Sequence, residues 1–438
     1  MTNPYIVLPV LFQLLTAVIL LFFWAKVNTQ RLISIIGSLI SMGIAIHLFY
    51  QVYGQGIQTM QAGSWAAPFG ITFVADLLSA TMVLLTTLSG LAVAVFSTGS
   101  IRNARLKFGF LPILHFLLMG LNGAFLTGDI FNLYVWFEII IIASFVLITI
   151  GGEKAQIEGS IKYVTMNLLA SAIFLTAIAI LYGLAGSLNM ADLSGQVAAI
   201  ENRNLVHVTA ILFLVGFGIK SAVFPLYFWL PASYHTPPPA ISAIFGGLLT
   251  KVGVYAMLRI FTLIFIPDDF LSDLLSVMAG LTILSGGLGA LLQSNMRKIF
   301  SYLIICHIGF LIAGLAMYTE LALSGTLFYL VHDIVVKTNL FLLAGIIFKL
   351  TGTLNIQKLG GMYKKISQAQ PAHGHTALFL GGDSSSFGLL GEGRIDSRWL
   401  PKWFLCAGGH DRAGELFDSL CYRKGLVRGL LERSRGPA

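Results

Sequence analysis

The sequence predicts an all-α polytopic membrane protein with about eleven spanning helices, followed by an irregular polar tail. Three observations predict it. Of 438 residues, 56% are hydrophobic and only 11% are charged, whereas a soluble domain carries about 25% charged residues. Apolar runs of about 20 residues, the length that spans hydrocarbon, follow one another as far as residue 350. The runs are continuous rather than alternating. In lipid only helices or closed barrels satisfy every backbone group, so continuity selects helices.

Taken in order, the runs cover 5–24, 31–51, 72–97, 109–127, 130–151, 161–185, 206–229, 240–264, 270–293, 299–317 and 323–350. The first has no basic leader and no small-residue cleavage pattern, so it reads as a retained helix and not a signal peptide. The net charge of +8 does not indicate nucleic-acid binding, because the basic residues lie largely in connections. Lys26 and Arg31 fall between the first and second spans, and Arg102, Arg105 and Lys107 between the third and fourth. Lys154 and Lys162 lie between the fifth and sixth, Arg297 and Lys298 between the ninth and tenth, and Lys358, Lys364 and Lys365 after the eleventh. The 51–71 connection has no basic residue, and 265–269 carries Asp268 and Asp269. By the positive-inside rule the odd-to-even connections are cytoplasmic and the N-terminus is outside. Cys306, Cys406 and Cys421 form neither a metal-ligand nor a disulfide pattern.

Within the spans, ionisable residues are few. The fifth, FNLYVWFEIIIIASFVLITIG, holds Glu138 inside an apolar run, where a charge costs roughly 2.5–3.5 kcal/mol on insertion scales. Lys220 lies in the seventh span and Lys251 early in the eighth. His307 lies in the tenth, and His332, Asp333 and Lys337 in the eleventh. Each has a structural reading as a snorkelling side chain or a helix-packing ion pair. That reading is weakest for Glu138 and Lys220, which sit well inside their runs. His307 reads as a packed histidine with a satisfied ring, and Asp129 as the N-cap of the fifth helix. Acids and bases spread over several buried helices are what a proton relay needs, and Glu138 with Lys220 is the expected switching pair.

Beside Lys220 the helix is interrupted. GIKSAVFPLYFWLPASYHTPPPAISAIFGGLLTK places Pro225 and Pro231 just beyond the lysine and Pro237, Pro238 and Pro239 before the next span. An interior proline removes a hydrogen bond and clashes with the preceding turn. In a membrane such a break persists where protein or water replaces the lost partners, and beside a charge it marks an ion pathway. An ordinary proline kink is the alternative.

These residues carry a resemblance. NGAFLTGDIFNLYVWFE, the Lys220–Lys251 stretch above with its continuation VGVYAMLR, and FYLVHDIVVKTNLFLLAGI closely resemble the D subunit of multisubunit Mrp-type Na+/H+ antiporters. That family is related to the antiporter-like proton-pumping subunits of respiratory complex I. The likeness runs to about Lys365. It implies a fourteen-helix fold with two inverted five-helix repeats, each with a broken helix. It also implies proton translocation by Glu138, Lys220, Lys251, His332 and Lys337, with Asp333 in the same pattern. The implied partners are H+, Na+ or K+, other antiporter subunits and the lipid bilayer, with no nucleic acid. No redox cofactor and no metal is expected in this chain, and its implied location is the bacterial plasma membrane.

After Lys365 the likeness stops. Up to that point 30 of 365 residues are charged, and from Ile366 on 16 of 73 are, with no further spans. Suitable synonymous codons for 366–395, read one base later, encode a chain containing LVGIPPLSGFWGK. That is a proline-broken membrane helix followed by a lysine, the element the family would continue with. The tail 366–438 therefore reads as a one-base frameshift product lacking helices 12–14. The alternative is a separate soluble segment. Its His373-Gly-His375 and its Gly-rich 381–393 lack the spacing of a metal or phosphate site, and its composition is that of a disordered segment.

Three functions remain open on this reading. The preferred one is a transporter subunit coupling H+ uptake to Na+ extrusion, not itself an enzyme. The second is a proton-pumping membrane subunit of an NADH:quinone oxidoreductase. The third is a truncated inactive product.

Overall fold

The computed structural model describes residues 3–359. The expected tail, 366–438, and the lysines at 364 and 365 lie outside the described residues.

After a short 3-10 turn, α1 (Leu8–Phe22) and α2 (Val27–Gln55) form a hairpin of spans. A two-stranded antiparallel hairpin follows, β1 (Gln58–Gln61) and β2 (Thr72–Ala75), with Gln58 opposite Ala75 and Gln61 opposite Thr72. Then come α3 (Leu77–Ser100), the short α4 (Asn103–Lys107), α5 (Phe110–Leu126), α6 (Ile130–Thr149) and α7 (Lys154–Ala185). The short α8 (Met190–Ala199) leads to α9 (Arg203–Ser221). After a break come α10 (Trp229–Ser233) and α11 (Pro239–Ile244), a π turn (Phe245–Leu249) and α12 (Thr250–Leu263). α13 (Asp269–Leu291), α14 (Met296–Met317) and α15 (Glu320–Thr351) complete the described bundle. Among the described residues, ten segments are long and apolar enough to cross a membrane, with α11 to α12 counted as one, and the shorter apolar α5 makes the eleventh expected span.

Side-chain and backbone bonds sort the helix ends into two faces. On the face where α1 starts, Asn3 N donates to Thr59 O at 2.9 Å, Gly128 N to Thr72 O at 2.8 Å, and His207 pairs with Asp268 at 2.7 Å. On the opposite face Arg31 donates to Asn103 Oδ1 (2.9 Å), Arg297 to Pro237 O (2.6 Å) and Lys349 to Gly99 O (3.3 Å). The described lysines and arginines of the predicted basic connections gather on this second face.

The two faces carry matching junctions. On the first, Ile130 N donates to Leu188 O and Met190 N to Gly128 O, both at 2.9 Å. On the second, Met296 N donates to Leu354 O and Ile356 N to Ser294 O, both at 3.0 Å. Each junction joins the start of one helix to the end of the next, α6 with α7 and α14 with α15. α7 and α15 are both 32 residues long. The second pair therefore repeats the first in inverted orientation.

At the centre lies the α11–π turn–α12 segment, packed against α3, α9, α14 and α15. Every residue from 240 to 258 is buried, as expected of a helix that is apolar on all sides. Three differences from the sequence reading have local causes. The 72–97 run opens with β2, because Asp76 and Ser79 form a capping box that starts α3 only at Leu77. The 206–229 run is not one helix but ends at Ser221. The β hairpin and α8 were not expected, since each is too short to leave a clear period.

Candidate functional site

α9 ends where Ala222 takes a left-handed conformation, φ +61°, which costs a residue with a Cβ roughly 1–2 kcal/mol. Neighbouring elements supply the bonds that the break gives up. Phe224 N donates to Thr282 Oγ1 of α13 at 3.0 Å, and Trp229 Nε1 donates to Ile219 O at 2.9 Å. Ser242 Oγ returns to Tyr234 O at 2.7 Å. Pro225 lies inside the break and Pro231 within α10. α12 closes against it at Gly253, where any Cβ would strike Ser221 Oγ.

The break leaves Lys220 in the last turn of α9, only 6% exposed. Its Nζ donates to Ser171 Oγ of α7 at 3.3 Å and lies 4.7 Å from the centroid of the Phe137 ring, a cation–π contact. A cavity of about 20 Å³ adjoins it, lined among others by Asn167, Tyr163, Trp229 and Tyr234. Glu138 is half-buried, and its Oε1 has no hydrogen-bond partner among the described residues. No ion pair joins Glu138 to Lys220. Consecutive helical residues point about 100° apart, and on α6 it is Phe137 that faces the lysine.

A second site forms around the π turn. Lys251 Nζ donates to the carbonyl of Gly246, within that turn, at 2.8 Å. It also lies 2.8 Å from Asp333 Oδ2 in an ion pair that is off hydrogen-bond geometry. Asp333 Oδ1 lies 2.7 Å from His307 Nδ1 of α14 and 4.0 Å from Lys337 Nζ, and Lys337 Nζ lies 3.5 Å from His307 Nε2. All four side chains are at most 4% exposed. α15 reaches this position because the turn is glycine there. A Cβ on Gly246 would meet the Phe341 ring at 2.5 Å, and one on Gly247 would strike Thr338. One carboxylate thus faces two ammonium groups and an imidazole in a medium where each uncompensated charge is costly.

Of the residues singled out from sequence, Lys251, Asp333 and Lys337 meet, while Lys220 and Glu138 belong to the neighbouring break. His332 does not join them: it is exposed, its ring 6.0 Å from that of Tyr329. One residue along α15 turns its side chain off the face that carries Asp333. His307 takes the place expected of it, so the packed histidine is a member of the cluster. No pattern within α14 marks it, since its partner lies on another helix. The inverted repeat relates the two sites. Asn167 of α7 and Asp333 of α15 stand equally far from their helix starts, as do Ser171 and Lys337. Neutral amide and hydroxyl groups beside Lys220 thus correspond to charged groups in the second site.

At the helix ends, Asp129 caps α6 by accepting from Asn132 N at 2.7 Å, as expected, and burial raises its carboxyl above the usual range. Asp76 caps α3 and pairs with Arg259 of α12. Burial alone would raise its carboxyl, but the guanidinium and the cap bonds hold it below the usual carboxylate range. His235, in the break segment, is pushed down to about 4 by burial.

A family model described as NADH:quinone oxidoreductase/Mrp antiporter, TM, matches residues 127–372. The chain is 45% identical over 366 residues to the D subunit of the Na(+)/H(+) antiporter of Alkalihalophilus pseudofirmus, covering 83% of this chain and 74% of the relative. It is 42% identical over 394 residues to the protein of the same name in Bacillus subtilis, covering 90% and 80%. Among solved structures it is similar to a chain of the Mrp complex from a Dietzia species, with TM-score 0.79, 30% identity and coverage of 89% and 73%. It is also similar to a chain of respiratory complex I from Thermus thermophilus, with TM-score 0.72, 26% identity and coverage of 86% and 77%. The chain belongs to the NADH:quinone oxidoreductase/Mrp antiporter transmembrane family.

Proposed function

We propose that this chain is a membrane subunit of a multisubunit cation/proton antiporter. In this reading it carries protons through Glu138, Lys220, Lys251, His307, Asp333 and Lys337 to drive extrusion of Na+ or K+. The observation that carries this reading is the buried Lys251–Asp333–His307–Lys337 cluster beside a broken helix. Gain or loss of one proton changes the charge of that cluster by one unit in low dielectric, where a single charge is worth several kcal/mol. Such a group is costly as a packing device and useful as a relay. The inverted repeat supports the same reading, because it sets two comparable proton-handling sites in opposite orientation.

The chain is a part of a transporter rather than an enzyme, and works with other subunits in the plasma membrane. The gathering of basic connections on one face supports an outside N-terminus. The higher identity to antiporter subunits favours this role over a proton-pumping subunit of a quinone reductase. We also propose that residues 366–438 arise from a one-base shift near Lys364–Lys365. Resequencing the gene tests the shift, and an intact frame through this tail in related strains refutes it. Energised everted vesicles test the function: Na+ added to vesicles holding the complex collapses the pH gradient. Dependence of NADH:quinone electron transfer on this chain would favour the other role.

A further inference from the structure

Beside Lys220 one phenol is engaged and another is not. Tyr163 Oη lies 2.6 Å from Ser144 Oγ. Tyr234, at the end of α10, is wholly buried, and its Oη has no hydrogen-bond partner among the described residues. A buried hydroxyl left unpaired costs about 1–3 kcal/mol, so such a group asks for an explanation. Asn167 donates its amide to Tyr163 O at 2.9 Å, which leaves its own carbonyl oxygen as an acceptor. Lys220 Nζ has three protons and spends one on Ser171. Lys220, Tyr234 and Asn167 all line the cavity of about 20 Å³. A buried water needs about 10–15 Å³ and two to four polar partners. The volume is enough for one water.

We propose that this cavity is a one-water site joining Lys220 to Tyr234, and that Tyr234 passes protons between Lys220 and the face that carries His235. This rests on the reading that Lys220 carries the transported proton. In the step, an N–H bond of Lys220 breaks as an O–H bond of the water forms. The water gives one of its own protons to Tyr234 Oη, whose original proton moves on, so neither oxygen keeps a charge. The proton is taken up by solvent at the face that the half-buried His235 marks. His235 Nδ1–H donates to Pro231 O at 2.7 Å, which leaves Nε2 with the lone pair. Burial, with Lys298 and Arg297 nearby, keeps this imidazole neutral at neutral pH.

The test uses the full chain assembled with its partner subunits. A cryo-EM map that resolves waters is expected to show one water within hydrogen-bond reach of both Lys220 Nζ and Tyr234 Oη. Side chains closed over the space overturn the site. For the relay, exchange is measured against pH in wild type, Tyr234→Phe, Asn167→Val and Lys220→Gln, with assembly checked by co-purification. Tyr234→Phe is expected to slow exchange on the order of 10²-fold and to make the rate sensitive to pH on the His235 face, since proton transfer becomes the slow step. Asn167→Val, on another helix, is expected to change both readouts in the same direction. Loss in Lys220→Gln with wild-type rates and pH profile in Tyr234→Phe overturns the relay alone. Wild-type exchange in Lys220→Gln overturns the reading beneath it.

Discussion

Lys251 Nζ and Asp333 Oδ2 stand 2.8 Å apart, both wholly buried, and tie α12 to α15 across the π turn. Removing one member of a buried pair leaves the other charge uncompensated. Asp333→Asn is therefore expected to cost about 3–5 kcal/mol, while an apolar replacement of both partners regains most of it. The thermal midpoint of the detergent-solubilised complex measures both. Equal midpoints for Asp333→Asn and wild type would show that the pair holds nothing together.

The two histidines separate sharply. His307 touches Asp333 at 2.7 Å, and His332 is exposed. His307→Ala is expected to slow cation-driven proton exchange on the order of 10²-fold, the effect of removing a positioned proton-transfer group. His332→Ala is expected to leave the rate near wild type. Initial rates of gradient collapse in vesicles report both, and the reverse order would place the relay on the other side of α15.

Gly247 lets α15 approach the turn. Gly247→Ala pushes a methyl into Thr338, and overpacking of this kind costs about 1–3 kcal/mol. Thr338→Ala in the same chain removes the obstructing hydroxyl and is expected to restore the thermal midpoint. No rescue would mean that the alanine acts on the turn's own backbone.

Asp76 separates a cap from an ion pair. Asparagine caps a helix as well as aspartate does, so Asp76→Asn keeps the cap and loses the pairing with Arg259. With the two side chains only 22% and 21% exposed, the loss is expected to exceed the roughly 0–1 kcal/mol of a fully exposed pair. Because its carboxyl is held below the usual range, Asp76 stabilises the fold above the ordinary carboxylate pKa. That contribution fades as pH falls through the lowered value. The difference in thermal midpoint between wild type and Asp76→Asn is expected at neutral pH and to vanish in acid. A difference that grows on acidification contradicts the assignment.

Much of the fold was legible because lipid imposes long apolar runs, and each of the eleven expected runs contains a helix, although the 206–229 run stays helical only to Ser221 before its break. Boundaries were less legible where a local device overrode hydropathy. The capping box at Asp76 delayed α3, and the left-handed Ala222 cut α9 short within a run that stays apolar. At the site, sequence named Lys220, Lys251, Asp333 and Lys337 because a charge in an apolar run is conspicuous on its own. It missed the membership of His307, and it gave no sign that Phe137 lies against Lys220. Both depend on which faces of different helices meet, and no single helix encodes that. The π turn was equally hidden, since Gly246 and Gly247 read as ordinary small residues in a span.

Glu138→Ala gives the most direct measurement, because the Glu138 carboxyl takes part in no ion pair and its Oε1 has no partner among the described residues. The substitution removes a protonatable group at little cost to packing. Na+-evoked proton exchange is measured in everted vesicles carrying the complex. Buried titratable side chains as the proton path predict a fully assembled complex whose exchange is abolished. Exchange at the wild-type rate would contradict it.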